Sequence, residues 1–167
     1  MIRQFSMFLL ISAITCAGCQ TTRTISSGKE VTQKSPDVVK LRTHLRTSAT
    51  VISKDSVKLF FTVINEADTV QQFCKWETPF EPQLGKYMEV TDVQDNEVAF
   101  KGAVARRVMP PPPGSYIPVP AHDSVTTVFN LAKNYSIKPG QYKAKYIGGG
   151  VSGLESSNEI KITITDH

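Results

Sequence analysis

Cysteine is scarce, with three in 167 residues. That is too few for the disulfide framework of a small secreted scaffold. Long apolar runs are missing too. No stretch reaches the roughly 20 apolar residues of a spanning helix, which excludes a polytopic membrane protein of that kind. Catalytic signatures are also lacking. The chain has no H-E-x-x-H, no G-x-S-x-G and no Gly-rich phosphate loop, and its one C-x-x-C spacing is Cys16–Cys19. His44, His122 and His167 are far apart in sequence, whereas a tight metal site needs three or four convergent ligands. No metal or cofactor is expected, and the chain reads as a non-enzyme.

What is present begins with an address. Arg3 is the only charge among the first 22 residues, and between Phe5 and Ile14 only Ser6 and Ser12 are polar. A positive start, a short apolar core and small residues before a cut mark a secretory signal. The following Ala17-Gly18-Cys19 resembles a bacterial lipobox, with Cys16 where such boxes usually carry Leu. The resemblance implies a signal peptide over residues 1–18 and acylation of Cys19. Each buried CH₂ of an acyl chain contributes about 0.8 kcal/mol, so several chains anchor firmly to one leaflet. Gln20 in place of Asp implies, by the same resemblance, an outer-membrane anchor with the domain in the periplasm or at the cell surface. Cys74 is then alone in the domain, and its plain reading is a small buried hydrophobe.

Residues 19–36 follow as the lipidated cysteine and a flexible tether. Ser, Thr, Gln and Lys dominate them, with only Ile25 and Val31 aliphatic. Such a segment cannot bury enough surface to offset its ordering entropy. The charge is also concentrated toward this end. Of the formal +4, Arg3 takes one and residues 20–36 take two (Arg23, Lys29 and Lys34 against Glu30), which leaves +1 for 37–167. A nucleic-acid role needs a basic patch on the domain, and none is expected.

From Asp37 the pattern has period two. Val39, Leu41, Thr43 and Leu45 alternate with charged or polar residues. Val57, Leu59, Phe61 and Val63 alternate next, with Phe60 and Ile64 on the other face, which places that strand more centrally. Asn65 to Asp68 is a turn, and strands are expected over Thr69–Trp76, Lys86–Val93, Glu97–Phe100, Val125–Leu131, Gln141–Ile147 and Glu159–Thr165. Leu131 to Tyr135 could make one helical turn, and Lys138-Pro139-Gly140 is a turn signal. Seven or eight short strands without an amphipathic helix predict an all-β fold over 37–167. The natural solution is an antiparallel immunoglobulin-like β-sandwich, with a small closed barrel as the alternative.

Residues 110–120, PPPPGSYIPVP, hold six of the ten prolines. Proline fixes φ and lacks an N–H, so an extended polyproline-like loop is expected there and not a central strand. Arg106 and Arg107 precede it, and Tyr116 and Ile117 lie within it. A stiff loop loses little entropy on binding, which makes it a candidate partner surface. The other reading is a rigid cover over a sheet edge. Trp76 and Phe80 read first as packing residues. Glu77 and Glu81, around Thr78-Pro79-Phe80, read as solvated carboxylates on a loop. Gly148-Gly149-Gly150 lacks the lysine and the helix of a phosphate site and reads as a flexible hairpin tip.

Several of these segments in order resemble the non-catalytic N-terminal β domain of bacterial deuterolysin-type (aspzincin) metallopeptidases, over about Leu41 to Tyr146. They are VINEAD at 63–68, KWETPFE at 75–81, Lys101-Gly102, RRVMPPPPGSYIPVPAHDSV at 106–125, and KPGQYKAKY at 138–146. The zinc-binding helix and catalytic domain of that family have no counterpart in these residues. The resemblance implies a β-sandwich module that contacts a peptidase, not a protease.

The function expected is that of a lipid-anchored envelope protein acting as a protein-binding module, as a protease inhibitor or accessory domain. The alternative is a structural or assembly lipoprotein with no protease link. The expected contact comprises Trp76, Pro79, Phe80, Arg106, Arg107, Pro110, Pro111, Pro112, Pro113 and Tyr116. Apolar anchors would be central and the arginines orienting.

Overall fold

A computed structural model describes residues 40–166 apart from 50, 55, 82 and 83. The signal, Cys19 and the tether lie outside the described residues. Among the described residues nine strands run in chain order: β1 Arg42–Thr47, β2 Val51–Ser53, β3 Lys58–Ile64, β4 Gln71–Cys74, β5 Met88–Asp92, β6 Tyr116–Val119, β7 Ser124–Asn130, β8 Gly140–Tyr146 and β9 Ile160–Thr165. Three single 3-10 turns, Pro113–Ser115, Leu131–Lys133 and Gly150–Ser152, are the helical elements among the described residues.

The strands form one sheet in the order β1-β3-β7, a second in the order β2-β9-β8-β5, and a ribbon of β4 with β6. All pairs are antiparallel except β2 with β9. The fold is the expected all-β sandwich, open and not closed into a barrel. In immunoglobulin lettering the first sheet reads A-B-E, and β9-β8-β5 reads G-F-C.

Alternation explains the core. Leu59, Phe61 and Val63 of β3 have no exposed surface. They face Val90, Ala144, Tyr146 and Ile162 of the other sheet within one cluster. The Phe61 and Tyr146 rings meet across the sandwich at 4.7 Å. Each such buried side chain contributes about 1.5–3 kcal/mol. β3 is central, as its two apolar faces predict. The chain enters β8 through a tyrosine corner: the Tyr142 hydroxyl donates to the Lys138 carbonyl at 3.0 Å, tying the start of strand F to the turn before it.

Three details differ from the sequence pattern. β2 is an extra strand, too short at three residues to show a period. The strand expected over Glu97–Phe100 reduces to isolated bridges, Thr91 with Glu97 and Phe100 with Tyr135. The proline-rich segment is only half loop, because its second half pairs as β6 along β4, with Pro118 opposite Gln72. The phase explains why proline is tolerated. Lys75 N–H donates to the Ser115 carbonyl at 2.8 Å, which makes 75 with 115 a hydrogen-bonded pair. Alternate pairs follow, so Pro118 falls at a position whose N–H would point away from β4.

Candidate partner-binding surface

The surface is assembled from the turn after β4 and the long connection between β5 and β6. Thr78, fully buried, organises the turn. Its hydroxyl donates to the Lys75 carbonyl at 2.7 Å and accepts from Phe80 N–H at 3.2 Å. This packs Trp76 and Pro79 inward. Phe80 is half-buried, with its ring edge-on to Phe73 at 5.3 Å and to Phe61 at 6.1 Å. These three residues therefore belong mainly to the body of the fold and offer a partner little surface.

Arg107 reaches back to the same turn. Its guanidinium lies 4.8 Å from the centre of the Trp76 ring and pairs with Glu81. Glu81 is buried, a correction to its reading as a solvated carboxylate. Burial makes the pair necessary, because a lone carboxylate there would lose its hydration without compensation. Arg107 is thus a latch that fixes the long connection to the sandwich, while Arg106 is exposed. Glu77 is exposed, as read from the sequence, and has φ of 58°.

On either side of the latch the chain carries apolar side chains into solvent. Val104 is 75% exposed, Val108 85% and Met109 63%. Pro110, Pro112 and Pro113 are exposed, Pro111 is half-buried, and Tyr116 is partly open at the start of β6. Four of the ten exposed large hydrophobics among the described residues lie between 104 and 116, and a fifth, Leu84, belongs to the segment bridged to Ala103. Gathered on one connection and not scattered singly, they make that connection the candidate contact surface. Sequence reasoning found the prolines, Arg106 and Tyr116 but missed Val104, Val108 and Met109. The available signal was an apolar set without strand period beside a proline run.

The remaining candidates are placed as follows. Cys74 is buried and unpaired. His44 is exposed. His122, with φ of 54°, meets Asp68 at 2.8 Å on the surface. Among the described residues no cluster of His, Cys, Asp and Glu could hold a metal. The glycine-rich tip is pinned, not loose: the Ser152 hydroxyl donates to the Gly149 carbonyl at 2.7 Å and meets the Tyr146 hydroxyl at 2.9 Å.

No protein-family model matches this chain, and no curated protein matches it. Among solved structures, the chain aligns with the E. coli chaperone DraB at 16% identity and a TM-score of 0.26. The alignment covers 74% of this chain and 53% of that one, so the chain spans about half the length of the chaperone. Likeness of that degree carries no inference about function.

Proposed function

We propose that this chain is a non-enzymatic protein-binding module, held to the outer membrane through acylated Cys19, with its domain in the periplasm or at the cell surface. One observation carries the reading. Val104, Val108 and Met109 stand in solvent on a connection anchored between them by Arg107, which lies against Trp76 and Glu81. A partner that covers them gains apolar burial on a connection already anchored at Arg107. Arg106, exposed beside them, would orient an acidic group of the partner. The most concrete partner is a peptidase, for which this chain is an inhibitor or accessory domain. That version rests on the resemblance to deuterolysin-type β domains alone.

The test is crosslinked capture from envelope and culture fractions, with residues 20–167 as bait beside a Val108→Ser, Met109→Ser double variant. A peptidase held by the first bait and lost from the second, at equal melting temperature, supports the reading. The same proteins held by both baits reject the loop. Non-peptidase envelope proteins lost from the variant keep the binding role and remove the protease link. Separately, a Cys19→Ser chain should leave the membrane fraction, and its retention there would sink the lipid anchor.

A further inference from the structure

We propose that the outer edge of β7 is a docking strand for an extended peptide segment of a partner protein, apolar at alternate positions and acidic at the end that passes Asn130. This surface is separate from the loop at 104–113 and does not depend on its role.

The phase of the β3–β7 ladder is fixed at both ends. Leu131 N–H donates to the Val57 carbonyl at 2.9 Å and Asn65 N–H to the Asp123 carbonyl at 2.9 Å. With Leu59 opposite Phe129 and Phe61 opposite Thr127, the odd-numbered residues of β7 exchange hydrogen bonds with β3. The N–H and C=O groups of Thr126 and Val128 therefore point outward. Among the described residues nothing bonds to them on that side. Both residues are exposed, Val128 at 50%.

The edges at β1 and β5 are covered. On β1, the Asn158 carboxamide mimics a strand: it donates to the Leu45 carbonyl at 2.9 Å and accepts from Leu45 N–H at 2.8 Å. On β5, Val98 N–H donates to the Val90 carbonyl and Asp92 N–H to the Asn96 carbonyl, while the Tyr135 hydroxyl takes the Met88 carbonyl at 2.6 Å. β2 has only three residues. Folds suppress open edges because they recruit other strands, so one left open amid this closure is a candidate site of strand addition.

The core side of the same edge is unfinished. Val125, Thr127 and Phe129 point inward yet are only half-buried, whereas Leu59, Phe61 and Val63 beside them are fully buried. Next to Val128 and Phe129 lies a pocket of about 410 Å³ formed with Pro79, Phe80 and Tyr87. The Tyr87 and Phe129 rings meet there edge to face at 6.3 Å. An incoming strand places alternate side chains toward this pocket.

Charge at the far end selects the ligand. Lys133 borders the pocket and, with Lys101 and Lys54, lines a second hollow beyond Asn130. Lys54 is paired with Asp166, and Glu81, the acidic group at the pocket, is held by Arg107. Among the described residues Lys133 and Lys101 pair with no carboxylate and can meet an acidic residue. A free peptide fits better than a second copy of β7. The inward side chains of a second β7 pack against their own sandwich and cannot drop into the pocket, and the open window of Thr126 and Val128 is short.

Hydrogen exchange on the full chain tests the edge first. The amides of Thr126 and Val128 should exchange about a hundredfold faster than those of Thr127 and Phe129. Equal protection would show the edge already covered and overturn the proposal. A displayed library of fully varied heptapeptides is the probe for the ligand. Enriched sequences should alternate apolar and polar residues with an acidic residue at one end. Capture should fall about tenfold or more with Val128→Pro, which deletes an outward N–H, and persist with Val128→Thr and with the Val108→Ser, Met109→Ser variant. If Val128→Pro does not fold, the native chain still decides: bound peptide must slow Thr126 and Val128 amides about tenfold. No enrichment, capture that survives Val128→Pro in a folded chain, unslowed amides, or a dimer formed through β7 in light scattering would each overturn it.

Discussion

β1 and β7 flank the same central strand, and they end differently. At β1 a single side chain, Asn158, supplies the donor and the acceptor that a neighbouring strand would have supplied. At β7 the corresponding groups of Thr126 and Val128 meet nothing among the described residues, and the side chains beneath are half-covered. Both strands alternate in burial and hold two threonines each. Their edges differ in the part of the chain that comes alongside. The edge facing the β8–β9 connection is closed by it, and the edge facing the turn at Pro79–Glu81 keeps a pocket.

Alkali should break this contrast altogether. Burial, and then the Glu81 carboxylate, push the Tyr87 hydroxyl up to about 12. Burial pushes Tyr146 to about 12 as well, against the Ser152 hydrogen bond, and Tyr135 is raised by its burial too. These hydroxyls stay protonated in the folded chain while the unfolded chain ionises near pH 10. The stability they hold is complete below about pH 10 and is lost as pH rises toward 12. Tyr87 and Tyr146 should each cost about 1.4 kcal/mol per pH unit in that window. Denaturant midpoints measured from about pH 9 to about pH 12 check this, and a flat profile would refute the burial argument.

Asn65→Ala should loosen the turn before β4 and the chain leaving β6 toward β7. The buried Asn65 amide shares its two hydrogens among the Thr69, Val119 and Pro120 carbonyls, at 2.8, 3.0 and 2.9 Å. Removing it leaves those acceptors short of donors, at about 3 kcal/mol. Urea unfolding reads the loss, and a change below about 1 kcal/mol would mean that water replaces the amide.

Asn158→Ala should make β1 resemble β7. The expected cost is about 1 kcal/mol, because the freed groups of Leu45 can reach water. The sharper readout is exchange: the Leu45 amide should become as fast as that of Thr126, and unchanged protection would show another residue closing that edge. Val128→Thr should have the smallest effect, within about 0.5 kcal/mol by thermal unfolding. A larger loss would show Val128 packed against something in the full chain.

Much of the fold was legible because alternation is written locally. Leu59, Phe61 and Val63, which alternate in the sequence, are buried, and within the strands expected at 141–147 and 159–165 so are Tyr142, Ala144, Tyr146, Ile162 and Ile164. β2 was not legible, since three residues carry no period. β6 was hidden by its prolines, because whether Pro118 disrupts a ladder depends on which side its missing N–H would face. At the candidate surface, the proline loop, Arg106 and Tyr116 could be picked out by composition. Arg107 could not be separated from its neighbour, since its partner Glu81 lies 26 residues away. Val104, Val108 and Met109 look like core residues in a sequence, and only their position outside every sheet exposes them.

The sequence by itself determined that short strands form, which faces turn inward and where the chain turns, because period, proline and glycine act through near neighbours. The tertiary structure alone decided which arginine is latched, which apolar residues stay in solvent and which sheet edge remains open. Those outcomes depend on hydrogen-bond phase and on residues brought together from far along the chain.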